Sequence, residues 1–159
     1  MNVCLPEHFK IVDATAGPVT TNGGVTGDYV SLKGCKRAWI SLQFTQAAGH
    51  ATAIQPQKAT AVAPTGAVSI TTAARIWSNL TTAVTDTLVK RTSATSYALN
   101  ADVAKKHVMI EIDPAEFTGD YDVLGFTISD SSQATNFVSG LYFLEMGQSG
   151  ATPPTAITD

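Results

Sequence analysis

Three histidines, two cysteines and one tight group of carboxylates are the side chains of this sequence best suited to chemistry. His8 follows Glu7, His50 sits beside Gly49, and His107 opens an alternating apolar run. None stands at ligand spacing from another histidine or from a cysteine, so exposed or structural roles are expected for all three. Cys4 and Cys35 lack metal-like spacing, and joining them would require the N-terminal segment to lie on the turn before Cys35. With so few cysteines, reduced thiols are expected. Asp120 and Asp122 flank Tyr121 and, as residues i and i+2 of an extended chain, point the same way, so with Glu116 they could share a divalent cation. No glycine-bearing calcium-type loop follows, and two carboxylates solvating a turn is the simpler account. There is no G-x-S-x-G elbow, P-loop or dinucleotide glycine pattern. The sequence therefore offers no catalytic, cofactor-binding or metal-binding residue, and a protein without enzyme activity or cofactor is expected.

Trp39 and Trp77, with Tyr29, Tyr97 and Tyr121, could form a sugar-stacking platform, although aromatics are only 8% of the chain and packing accounts for them equally well. Asn79 opens a glycosylation sequon with Thr81, which reads as a chance match.

The elements that must position these residues are short. Ala38, Ile40, Leu42 and Phe44 alternate with Arg37, Trp39, Ser41 and Gln43, the pattern of a half-buried strand. Tyr29 to Leu32 is β-prone, and Lys33-Gly34 predicts a turn folding the two runs into a hairpin. Ala51 to Thr60 can be a strand interrupted near Pro56, a proline that suits an edge strand or a bulge better than a central one. Further strands are expected at Val68–Thr71, Arg75–Trp77, Asp86–Arg91 and Ser96–Leu99, with one helical turn over residues 101–105. Val108, Ile110 and Ile112 share a face, and Glu111 lies on the other. Pro114 ends that strand. Leu124, Phe126 and Ile128 define the next. In Phe137 to Met146, Leu141 and Phe143 share one face and Tyr142 and Leu144 the other, a strand covered on both sides, with Phe143 expected in the core.

Recurrent strands, turn clusters and the absence of a long amphipathic helix predict an all-β, single-domain antiparallel sandwich or jelly roll with extended N- and C-terminal arms. Residues 1–27 read as an arm with a first short strand, 28–146 as the sandwich and 147–159 as an extended C-terminal arm, with Pro153, Pro154 and Ile157 as its partner-binding residues.

With 159 residues the chain can bury a single core. A net charge of -3 and scattered basic residues argue against a nucleic-acid partner. The N-terminus lacks a signal-peptide pattern, and no apolar stretch is long enough for a membrane helix. Charged residues make up 14% of the chain, against roughly 25% for a typical soluble domain, which hints at a protein that works packed against others.

Taken together, MNVCLPEH, DYVSLKGCKRAWISLQF, IWSNLTTAVTDTLVKRT, YDVLGFTIS and ATPPTAITD resemble the small structural proteins encoded in the head gene cluster of tailed bacteriophages. The resemblance implies a virion component without enzyme activity, a decoration or cement protein on the outside of the major capsid protein shell. It implies synthesis in the host bacterial cytoplasm and self-association, commonly as trimers. Its partners would be the major capsid protein and copies of itself, not nucleic acid or membrane. A host-receptor or carbohydrate-binding module of a fibre or tail is the alternative. No set of site residues carries over from the resemblance.

Overall fold

The computed structural model describes residues 5–64 and 66–147. Two antiparallel sheets pack face to face as a sandwich. After a short helix α1 (Leu5–His8), the chain forms β1 (Phe9–Asp13), β2 (Val19–Thr20), β3 (Val25–Thr26), β4 (Val30–Ser31), β5 (Cys35–Gln46), β6 (Thr52–Ala59) and β7 (Val68–Ser69). It continues through β8 (Arg75–Asn79), β9 (Val89–Lys90), β10 (Tyr97–Leu99), β11 (Ala104–Ile112), a 3-10 turn η1 (Pro114–Glu116), β12 (Val123–Ile128) and β13 (Phe137–Met146). The first sheet runs β1-β13-β5-β11-β8-β9, with β2 also on β13. The second runs β10-β6-β12-β3, with β4 also on β12 and β7 on β6. No helix among the described residues is long and apolar enough to cross a membrane.

The alternation of β5 places it at the centre of the first sheet. Ala38, Ile40, Leu42 and Phe44 are buried, and Ile40 lies opposite Ile110 on one side and Tyr142 on the other. They form one cluster with Val108, Ile110, Ile112, Leu124, Phe126 and Ile128, as expected from the sequence. Burying each large aliphatic side chain stabilises the fold by about 1.5–3 kcal/mol, so this cluster is the main cohesive element. Gly140, opposite Leu42, is required by close approach: a Cβ there would overlap the Leu42 side chain.

Several expectations need correction. The expected hairpin does not form. β4 pairs with β12 in the second sheet while β5 belongs to the first, so Lys33-Gly34 carries the chain from one sheet to the other, with Gly34 at φ 73°. Only glycine takes that conformation without steric cost.

The core face of β13 is the opposite of the expected one. Val138, Tyr142 and Leu144 are buried, whereas Leu141 is exposed and Phe143 only half-buried on the outer side. A deciding polar contact is the Tyr142 hydroxyl, which donates to the Asp28 carbonyl at 2.7 Å and so satisfies the one polar atom the inward ring carries.

No helical turn forms over 101–105. Asn100 instead turns its side-chain oxygen to Lys106 Nζ at 2.5 Å, and Ala104 already begins β11. Pro56 sits within the continuous strand β6, between β12 and the short strands β10 and β7. Its carbonyl accepts from Ile70 N, on the side where β10 has ended and β7 has not begun, so its missing N–H faces a gap in the ladder.

The Gly/Thr-rich stretch 14–27 is bonded along its length rather than standing off as an arm. Ala14 N donates to Gly140 O, Thr21 N to Asn136 O and Gly27 N to Phe126 O, so the chain passes along the rim from the first sheet to the second. Thr21 is buried, and its hydroxyl donates to Ser131 Oγ at 2.7 Å. Residues 148–159, with Pro153, Pro154 and Ile157, lie outside the described residues.

Candidate interaction surface

Because side chains alternate across a strand, the residues between the buried positions of the first sheet all face outward. The registers align them into rows. One row reads Ile11, Phe143, Trp39, Glu111 and Arg75 across β1, β13, β5, β11 and β8. The next reads Asp13, Leu141, Ser41, Met109, Trp77 and Lys90, reaching β9.

This face carries large apolar side chains that belong to neither buried cluster. Ile11 is 41% exposed and Leu141 37%, while Phe143, Trp39, Met109 and Trp77 are half-buried by their neighbours on the sheet. Phe9 meets Trp39 edge-on, with ring centroids 5.6 Å apart, which fixes the indole in place rather than leaving a free flat ring. A depression of about 280 Å³ opens beside Leu141, lined by Asp13, Thr15, Gly17, Ser41, Gln43 and Ser139 as well.

Charge on the face is built around Glu111. Its carboxylate accepts from Arg37 at 2.7 Å and from Arg75 on the opposite side. The sequence placed Glu111 on the outer face but gave no sign of its burial, because its partners lie 74 and 36 residues away. Lower on the same face His107 Nε2 and Ser41 Oγ lie 2.8 Å apart, and burial holds the imidazole below the usual histidine range.

The remaining candidate residues are dispersed. His50 is exposed, with Nδ1 2.9 Å from the Ala51 carbonyl, and His8 ends α1. Asp122 pairs with Lys33 at 3.3 Å, and Glu116 accepts from Thr72. Among the described residues no three His, Cys, Asp or Glu side chains are grouped to hold an ion. The aromatic residues do not converge. Trp39 and Trp77 share the outer face of the first sheet, Tyr29 bonds Gln57 of the second sheet, Tyr97 reaches Ser78 at 2.7 Å, and Tyr121 lies under Lys58 Nζ. The Asn79 amide is spent inside the fold, donating to Thr85 O and accepting from Thr81 N. The Cys35 thiol donates to the Arg37 carbonyl at 2.8 Å, and burial pushes its pKa up to about 11. Cys4 lies outside the described residues.

A second cavity, of about 170 Å³, opens at one end of the sandwich between Lys58 and Ile70 of one side and Arg75, Glu111 and Ile112 of the other. Of its charged groups, Arg75 is engaged with Glu111, and Lys58 lies over the Tyr121 ring at 4.6 Å.

No family model matches the chain, and no curated protein matches it by sequence. Among solved structures it is similar to the SPBc2 prophage-derived protein YomS, at 7% identity and a TM-score of 0.47, covering 86% of this chain and 91% of that one. It is also similar to a CBM4 structure, at 8% identity and a TM-score of 0.32, covering 89% of this chain and 85% of that one. At these values neither likeness says what this chain does.

Proposed function

We propose that this chain is a structural protein of a tailed-bacteriophage virion, a decoration or cement protein bound to the outside of the major capsid protein shell and stabilising the head. The observation that carries the reading is the outer face of the first sheet. A broad, half-apolar sheet face on a sandwich whose histidines, cysteine and carboxylates are dispersed suits contact with other proteins better than turnover of a substrate. The sequence resemblance supplies the setting: made in the host bacterial cytoplasm, the protein would end on the capsid surface, held by the major capsid protein and by copies of itself. It would act without catalysis, cofactor, nucleic acid or membrane. On a symmetric shell many modest contacts add through multivalency. Pro153, Pro154 and Ile157 belong to this proposal as a C-terminal attachment segment whose prolines limit the entropy lost on docking.

The test is the copy number in purified particles by quantitative mass spectrometry. Stoichiometric abundance relative to the major capsid protein is expected, with loss of incorporation when residues 150–159 are deleted from an otherwise folded chain. A handful of copies per particle would overturn the reading and favour a receptor- or carbohydrate-binding fibre or tail module, for which Trp39 and Trp77 on one face are the supporting observation. Quenching of tryptophan fluorescence by soluble glycans would then follow.

A further inference from the structure

The outer face of the first sheet is self-complementary about one axis, and from this we infer that its occupant is a second copy of this chain, stacked face to face about a two-fold axis parallel to the strands. The row Asp13, Leu141, Ser41, Met109, Trp77, Lys90 begins with an exposed acid on one edge of the sheet and ends with an exposed base on the other. A two-fold axis through the middle of this row, between Ser41 and Met109, reverses its order in the second copy. Asp13 then faces the other copy's Lys90, and Leu141 faces its Trp77.

Both pairings are chemically matched, and symmetry makes each occur twice, as an isologous interface requires. The depression of about 280 Å³ beside Leu141 lies where the opposing indole arrives, so the apolar contact has space to seat a large ring. In the neighbouring row the same operation sets Arg75 against the other copy's Phe143, a guanidinium over an aromatic ring. Glu111 adds no unpaired charge to the contact, because Arg37 and Arg75 already hold its carboxylate.

Size is adequate as well. Six strands at a spacing of ~4.8 Å make the face about 24 Å wide. With the strand lengths of β1, β13, β5, β11, β8 and β9 at a rise of ~3.3 Å per residue, the face covers roughly 700 Å², on the scale of the ~800 Å² that each partner buries in a standard interface. Twisted sheets stacked in this way keep their strands within about 30° of alignment, which preserves the row-to-row match near the axis. The inference uses the same face that carries the virion reading and names its occupant, and the dimer is measured on the free protein, so its failure is distinguishable from failure of that reading.

The experiment is sedimentation equilibrium on the full 159-residue chain and its variants at low salt, with circular dichroism confirming that each is folded. A concentration-dependent dimer is expected. Asp13→Lys sets lysine against lysine at both edges and Lys90→Asp sets acid against acid, so each single change should weaken the dimer about tenfold. The double exchange Asp13→Lys/Lys90→Asp restores opposite charges and should return affinity to within about threefold of the parent. Leu141→Asp, at an exposed position that leaves the core intact, should give a folded monomer. A monomer at every concentration, a trimer, or a dimer indifferent to Leu141→Asp would each overturn the inference. So would a double exchange no tighter than either single variant.

Discussion

The Arg37 guanidinium donates to Glu111 Oε1 at 2.7 Å, and Arg75 reaches the same oxygen from the neighbouring strand on the other side. The Glu111 side chain is only 7% exposed, against 46% for Arg37 and 47% for Arg75. Either arginine alone can neutralise the carboxylate, but losing both strands a charge that water reaches poorly. Arg37→Ala/Arg75→Ala should therefore lose more stability than the two single changes added, by about 1 kcal/mol or more. Urea denaturation of the four proteins checks this. Strict additivity would mean that the carboxylate is hydrated. Glu111→Ala, which sequence alternation would rate as harmless, should cost about 1–3 kcal/mol.

The orientation of β13 is tested by a matched pair. Leu144→Ala, in the core, should cost about 2–5 kcal/mol, as should Ile110→Ala opposite Ile40. Phe143→Ala, on the outer face, should cost clearly less in the isolated protein despite removing the larger side chain. Thermal melts decide it, and a reversed ranking would turn the strand over.

His107 makes stability depend on pH. Burial depresses its pKa, so the unfolded chain binds a proton that the folded chain resists. The contribution is complete above the ordinary histidine value of about 6.5 and is lost as the pH falls through that value toward the depressed folded one. The parent protein should lose more melting temperature between about pH 7.5 and pH 5 than His107→Gln does. Parallel curves for the two proteins would remove His107 as the cause.

Lys106 is buried, and Nζ donates to both the backbone and the side-chain oxygen of Asn100, at 2.8 and 2.5 Å. Desolvation lowers its pKa, partly offset by Asp102. Asn100→Ala removes one of the two acceptors and should cost about 1–3 kcal/mol. Adding Lys106→Met, which keeps an apolar stem and deletes the charge, should recover most of that loss. Denaturation of the single and double variants measures the recovery.

Cys35 should be a slow thiol. With a pKa of about 11 almost none is thiolate near neutral pH, so alkylation by iodoacetamide should be much slower in the folded chain than in denaturant. Peptide mapping separates it from Cys4, and equal rates at Cys35 in the two states would contradict the burial of its sulfur.

What the sequence made legible was periodicity. Ala38, Ile40, Leu42 and Phe44, and likewise Val108, Ile110 and Ile112, alternate cleanly because one face meets the core and the other carries polar groups. Along β13 the signal fails, since Leu141 and Phe143 are as apolar as Tyr142 and Leu144, and hydrophobicity alone cannot choose a face. The partition between sheets is equally silent: nothing local to Lys33-Gly34 says that β4 pairs with Val123 and Leu124 rather than with β5. The helical turn expected over 101–105 is absent, and the Asn100 side-chain oxygen that could have capped it accepts from Lys106 instead, a contact between strand and turn that no local pattern shows. The outer face was visible only as single residues, because the register that lines Asp13 up with Lys90 is a property of six strands together.

The position of β5 between β11 and β13 also governs how the chain can be made. Both of its neighbours are translated after it, β13 last among the described strands, and among the described residues β1 pairs with β13 alone. As the polypeptide leaves the ribosome, β5, the longest strand of the first sheet, must wait with one edge open until β11 follows and with the other open until β13 follows. Such long-range pairing is slow to form and exposes edges that can join other nascent chains. Closure of this sheet therefore waits on β13, and the yield of native protein should be governed by events in the interval before that strand pairs.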